Sequence, residues 1–163
     1  MKIMVWITEG TWQACVDAAV ALAPADAEVA LLYVTSDDIP GAAHGAFAGL
    51  LGRGHPSRDP GTRLAQLTTA AADELLHAAA DRLGRPAERL RRNGRVEREV
   101  ITATDDADLL ILARDGDRDR LGPRSLGPAT RFVVDHAPCQ VLLVWPSPAP
   151  DTTSLPPPPP HHR

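Results

Sequence analysis

The chain has 163 residues, of which 44% are hydrophobic and only 4% aromatic, enough apolar mass for one domain with an aliphatic core. Its formal charge of -4 gives no electrostatic ground for nucleic acid or an anionic membrane surface as a partner. No run approaches the roughly 18 apolar residues of a membrane span, and Thr8, Glu9 and Gly10 interrupt the first apolar run, so neither a spanning segment nor a leader is expected and a cytoplasmic protein is.

The first element is KIMVWI (2–7), short, aliphatic and without alternation, as a strand covered on both faces requires. Thr11 then stands as N-cap before a helical stripe of Trp12, Val16, Ala19, Val20 and Ala23. EVALLYV (28–34) is the second strand. Residues 36–62 mix glycine, proline and charge around GAFAGLLG and are expected to form a surface insertion. Leu76, Ala79, Ala80 and Leu83 make a second stripe closed by Gly84. AERLRR (87–92) is polar for a strand and belongs at a sheet edge if it is one.

Val96, Val100 and Ala103 mark a third helix, DLLILA (108–113) a buried strand, and ARDGDRDRLGPRSLGPAT (113–130) a glycine-bearing loop. Gly127 and Pro128 stand at the cap and first-turn positions of a fourth helix with Ala129, Phe132, Val133 and His136 on its inner stripe. QVLLVW (140–145) is the last strand. The tail from Ser147 to Arg163, proline-rich and ending in His161 and His162, is expected to be disordered and partly polyproline. Cys15 and Cys139 lie in apolar surroundings without metal or redox spacing and read as buried free thiols.

Strands alternating with helices in this way wind a parallel sheet through right-handed crossovers. Ligands of such sheets bind beyond the carboxyl ends of the strands, where the winding reverses. Thr8 to Gly10, Val34 to Ser36 and the loop 113–130 would lie there, with the helix that starts at Gly127 aiming its positive end into the crevice.

ADLLILA, the glycine loop, and DHAPCQVLLVWP resemble the C-terminal half of the universal stress protein family, and residues 1–146 outside the insertion are similar to it throughout. The resemblance implies a UspA-like, Rossmann-like α/β fold related to the adenine nucleotide alpha hydrolases: an open, doubly wound, five-stranded parallel sheet of order 3-2-1-4-5. It also implies a homodimer paired through the last strand, at Val141 and Leu143.

Nucleotide-binding members resemble one another in a G-x2-G-x9-G-[ST] loop. Here Ala113 stands for the first glycine, Gly116 for the second, and Gly127 for the third after ten residues instead of nine. Pro128 replaces the hydroxyl residue and lacks its N–H, while Thr130 matches a second hydroxyl position. Family members that hold adenine place an aspartate where this chain has Thr8 or, shifted by one, Glu9; Val34 agrees with their apolar residue beside the base.

Arg114, Arg118, Arg120 and Arg124 could contact phosphate, but pairing with Asp115, Asp117 and Asp119 within the loop is the expectation. The D-x-D-x-D spacing lacks a closing glutamate, since Leu126 is at the twelfth position, so no calcium site is expected. No serine, histidine and carboxylate set or Walker-type loop is present. His77 between Asp73 and Asp81 reads as an exposed ladder, His136 as a packed histidine, and His44 and His55 lie in the insertion without a ligand cluster.

The expected function is a regulatory, stress-response interaction module with a degenerate loop and weak or absent ATP binding, not an enzyme and without a metal. The alternatives are a sensor binding ATP or AMP with magnesium, and an enzyme acting on a small phosphorylated metabolite.

Overall fold

The computed structural model describes residues 1–36, 60–155 and 157–158, with the backbone alone for 60–65. Five strands form one parallel sheet: β1 Lys2–Trp6, β2 Glu28–Ser36, β3 Glu88–Gly94, β4 Leu109–Ala113 and β5 Gln140–Val144, in the order β3-β2-β1-β4-β5. Helices α1 Trp12–Leu22, α2 Pro60–Leu83, α3 Val96–Ala103 and α4 Pro128–His136 connect them. The doubly wound sheet and its order are those expected.

Alternation along the strands assigns side chains to two cores. Ile3, Val5, Leu31 and Ile111 point to the α1 and α2 side, where they meet Val16, Ala19, Leu76 and Leu83. Met4, Trp6, Leu32, Leu110 and Leu112 point to the α3 and α4 side and meet Val100 and Val133. Both faces of the central strands are therefore dry, which is why their sequences show no polar alternation. At the edge, β3 keeps Arg89 and Arg91 on the face of α2, where Arg91 pairs with Asp73 at 2.8 Å and Arg89 meets His77 at 3.3 Å. His77 also faces Asp81 at 3.5 Å, so the exposed ladder extends to the edge strand.

Several expectations need correction. Val20 is 54% exposed, and Cys15 takes the place given to it in the buried stripe of α1. Thr11 is the N-cap residue of α1 but makes no side-chain cap bond; its hydroxyl meets that of Thr8 at 2.6 Å. His136 is exposed: it stacks on Phe132 with ring centroids 4.1 Å apart, and its Nδ1 lies 2.8 Å from the Phe132 carbonyl. Arg98 covers the same Phe132 ring from 5.0 Å, so the end of α4 is an aromatic and cationic stack at the surface rather than part of the core.

Cys15 is fully buried, with its thiol pushed up to about 12 by desolvation, whereas Cys139 is only half-buried. The 36–62 insertion is narrower than expected, because β2 continues to Ser36 and α2 begins at Pro60. Its GAFAGLLG segment with His44, and His55, lie outside the described residues, as do His161 and His162. Gly84 closes α2 with φ +66°, as the C-terminal glycine pattern requires.

Within the tail, the described residues include one short turn that the proline-rich composition did not suggest. Asp151 accepts a hydrogen bond from the Thr153 N–H at 2.8 Å and opens a 3-10 turn over Thr152–Ser154. Ser154 Oγ accepts the Leu121 N–H at 3.2 Å, tying this turn to the loop after β4. Composition announced the prolines but not the Asp-Thr-Thr-Ser segment's capacity to close a capped turn.

The core account predicts that Leu31→Ala, at a fully buried site in β2, lowers stability by about 2–5 kcal/mol. Urea unfolding checks this, and a loss below about 1 kcal/mol would contradict the packing described.

Candidate functional site

The winding reverses between β1 and β4, and the loops that follow these strands flank the crevice. After β1, Thr8 accepts backbone hydrogen bonds from Thr11 and Trp12 at 3.3 and 3.1 Å, and Gly10 takes φ +77° to make that turn. Thr8 is half-buried and Glu9 exposed. Burial first, and then the charge of Glu9, push the Tyr33 phenol up. Val34 is buried within β2.

After β4, Ala113 ends the strand in the core, and the Arg114 N–H continues the ladder to the Val144 carbonyl at 3.0 Å. The two arms of the loop then close on each other: the Gly116 N–H donates to the Ser125 carbonyl at 2.9 Å and the Asp117 N–H to the Arg124 carbonyl at 2.8 Å. A Cβ at Gly116 would run into the Arg124 carbonyl and come within 2.9 Å of Ser125 backbone. This glycine is required by contact between the arms of the loop. Pro123–Ser125 forms a 3-10 turn, and Ser125, fully buried, donates its hydroxyl to the Gly122 carbonyl at 2.6 Å.

Arg114 turns inward. Its guanidinium donates to Ser125 Oγ and lies over the Trp145 ring at 4.6 Å, with its Nε buried and unpartnered. It therefore braces the loop against the end of β5 and is not presented to the crevice. The expected pairing of loop arginines with loop aspartates is not what forms: no such ion pair occurs among the described residues, and Asp115 and Asp117 take backbone and hydroxyl donors instead. Asp117 accepts the Asp119 N–H at 3.0 Å. Arg118, Arg120 and Arg124 are exposed.

Asp115 is the residue that sequence reasoning placed wrongly. Its Oδ1 accepts the Gly127 N–H at 2.8 Å, and its Oδ2 accepts the Thr130 hydroxyl at 2.8 Å. Gly127 is the N-cap of α4 and Pro128 its first residue. A helix that begins Gly-Pro has no capping side chain of its own and lacks one N–H. An acidic group from elsewhere is the physical answer to that end, and an aspartate beside the second glycine was the signal available in the sequence. A Cβ added at Gly127 would lie 3.0 Å from Asp115 Oδ1, a tight contact that the carboxylate would have to ease.

The carboxylate thus occupies a helix-terminal backbone N–H and the hydroxyl of Thr130, groups of the kind that hold anions at helix N-termini. The structure brings together Gly116, Gly127, Pro128, Thr130 and Asp115, and places Ala113 and Arg114 at the base of the loop. Thr8, Glu9 and Val34 remain on the neighbouring strand ends, without a hydrogen bond to the loop. Among the described residues no group of three or more His, Cys, Asp or Glu side chains is placed to hold a metal ion.

This arrangement can be set beside known proteins. The universal stress protein family model matches residues 1–144. A comparison with curated proteins finds no match. Among solved structures, the chain is similar to a hypothetical protein whose biochemical function was assigned from its structure, with 19% identity, 88% of this chain and 94% of that one covered, and a TM-score of 0.62. It is also similar to the universal stress protein UspA of Lactobacillus plantarum, at 22% identity, 88% and 97% coverage, and a TM-score of 0.59. A universal stress protein in complex with cAMP matches at 19% identity, 90% and 98% coverage, and a TM-score of 0.58. At these identities the structures speak to the shared fold, and the family match covers nearly all of the chain up to the end of β5: the protein belongs to the universal stress protein family.

Proposed function

We propose that this is a stress-response regulatory domain whose phosphate cradle is filled by its own Asp115, so that ATP binds weakly or not at all and the protein acts through contacts with other proteins. The observation that carries the reading is the two-pronged seat of the Asp115 carboxylate on Gly127 and Thr130. An incoming phosphate must displace that carboxylate or face its negative charge at contact distance. Pro128 removes a further donor, and Arg114 is committed to Ser125 and Trp145.

Among the described residues, the hydroxyl that meets a carboxylate beside the crevice, that of Thr130, is buried and holds the start of α4, which supports a non-enzymatic role. No helix among the described residues is long and apolar enough to cross a membrane, and we place the protein in the cytoplasm. We further propose a homodimer paired through β5. This strand is a sheet edge whose Val141 and Leu143 are only half-buried, unlike Leu110 and Leu112 paired with them in β4.

A second reading, a nucleotide sensor, is favoured by the retained Gly116, Gly127 and Thr130 and by the related structure that holds cAMP. In that case Asp115 swings out when the ligand, ATP or AMP with magnesium or cAMP, enters.

Calorimetric titration of ATP, AMP and cyclic AMP, with and without magnesium, separates the readings. The first predicts no saturation up to millimolar ligand, and micromolar affinity for any of them would overturn it. Asp115→Ala is expected to strengthen pyrophosphate binding roughly tenfold, equivalent to about 1.4 kcal/mol, while lowering stability by about 1 kcal/mol through loss of the acceptor at the start of α4. Unchanged pyrophosphate binding would mean that the carboxylate is not what closes the cradle.

The dimer is checked by sedimentation: the native chain is expected to run as a dimer and the Val141→Asp/Leu143→Asp variant as a folded monomer, whereas a monomeric native chain would remove the proposal.

A further inference from the structure

We propose that the pocket between the glycine loop and the C-terminal turn is a separate binding site for a small amphipathic organic anion carrying a single negative charge. The cavity has a volume of about 730 Å³, within the range of sites that take drug-sized molecules. Leu121 and Pro123 supply its apolar wall from the loop, and Leu155 and Pro157 supply it from the tail. The tail wall is held in place by the Leu121 N–H bond to Ser154 and by the Asp151 cap of the 3-10 turn.

Arg120 and Arg124 line the cavity together with Asp119, leaving one net positive charge. Among the described residues neither guanidinium has a hydrogen-bond or ion-pair partner. The planar guanidinium fork of arginine matches the multi-oxygen head of a carboxylate or sulfonate, and the leucine and proline walls gain by covering an apolar body. Asp119 opposes a second negative charge, which sets the class of ligand apart from a nucleoside triphosphate. The cradle residues Asp115, Gly127 and Thr130 do not line this pocket, so the inference stands whichever way the nucleotide question falls.

The full-length chain is titrated with anilinonaphthalene sulfonate, a fluorescent amphipathic monoanion, while amide shifts are followed by NMR. The site predicts one saturable binding event that shifts the Leu121, Ser154 and Leu155 amides and is unaffected by millimolar ATP. Arg120→Ala/Arg124→Ala, at exposed positions, is expected to weaken it about tenfold without changing thermal unfolding, and Leu155→Asp, from the opposite wall, to weaken it as much. Equal affinity in the arginine variant, or shifts confined to another face, would overturn the proposal.

Discussion

The amino end of α4 carries the positive end of a helix dipole and a backbone N–H at Gly127, and it opens on the crevice where the winding of the sheet reverses. In this chain that end lacks a cap of its own, because glycine and proline occupy the positions where a hydroxyl or amide side chain would serve. Asp115 resolves the electrostatic problem from within. Once its carboxylate is seated on Gly127 and Thr130, the path of the loop between them is constrained at both ends, and the remaining contacts follow. Gly116 presses against Ser125, the Pro123 turn buries Ser125, and Arg114 folds beneath it onto Trp145.

On the proposed reading, a loop that resembles its family's in two glycines need not keep their use. A glycine in a phosphate loop lets backbone approach an oxygen anion. Gly127 still does this, but the anion belongs to the protein. Gly116 has become a contact between two arms of the loop. Farther along the loop, the tail meets it at Leu121, and the two together line the outer pocket.

The sheet was legible because its strands are covered on both faces: unbroken runs such as KIMVWI and DLLILA have few other stable settings. The edge position of β3 was legible for the opposite reason, its arginines. Helix stripes were read correctly where a residue faces the sheet, as with Val16, Leu76, Val100 and Val133. They failed at the margins, at Val20 and His136, where a shift of one position around the helix turns a side chain to solvent. The loop was legible in its spacing but not in its bonding. Charge alternation suggested arginine pairing with aspartate, and only the fold shows that Asp115 sits nearer to Gly127 and Thr130 than to any guanidinium. The tail followed the same pattern, since its proline content hid a four-residue polar segment able to cap itself and reach Leu121.

A cradle closed by its own carboxylate requires the Gly127 N–H to be held by Asp115 in the free protein. Amide hydrogen exchange at Gly127, read by NMR in the unliganded chain and in Asp115→Ala, measures that bond. The account predicts a Gly127 amide well protected in the native chain and released to the rate of an open loop in the variant. Rapid exchange in the native chain, or equal protection in both, would contradict it.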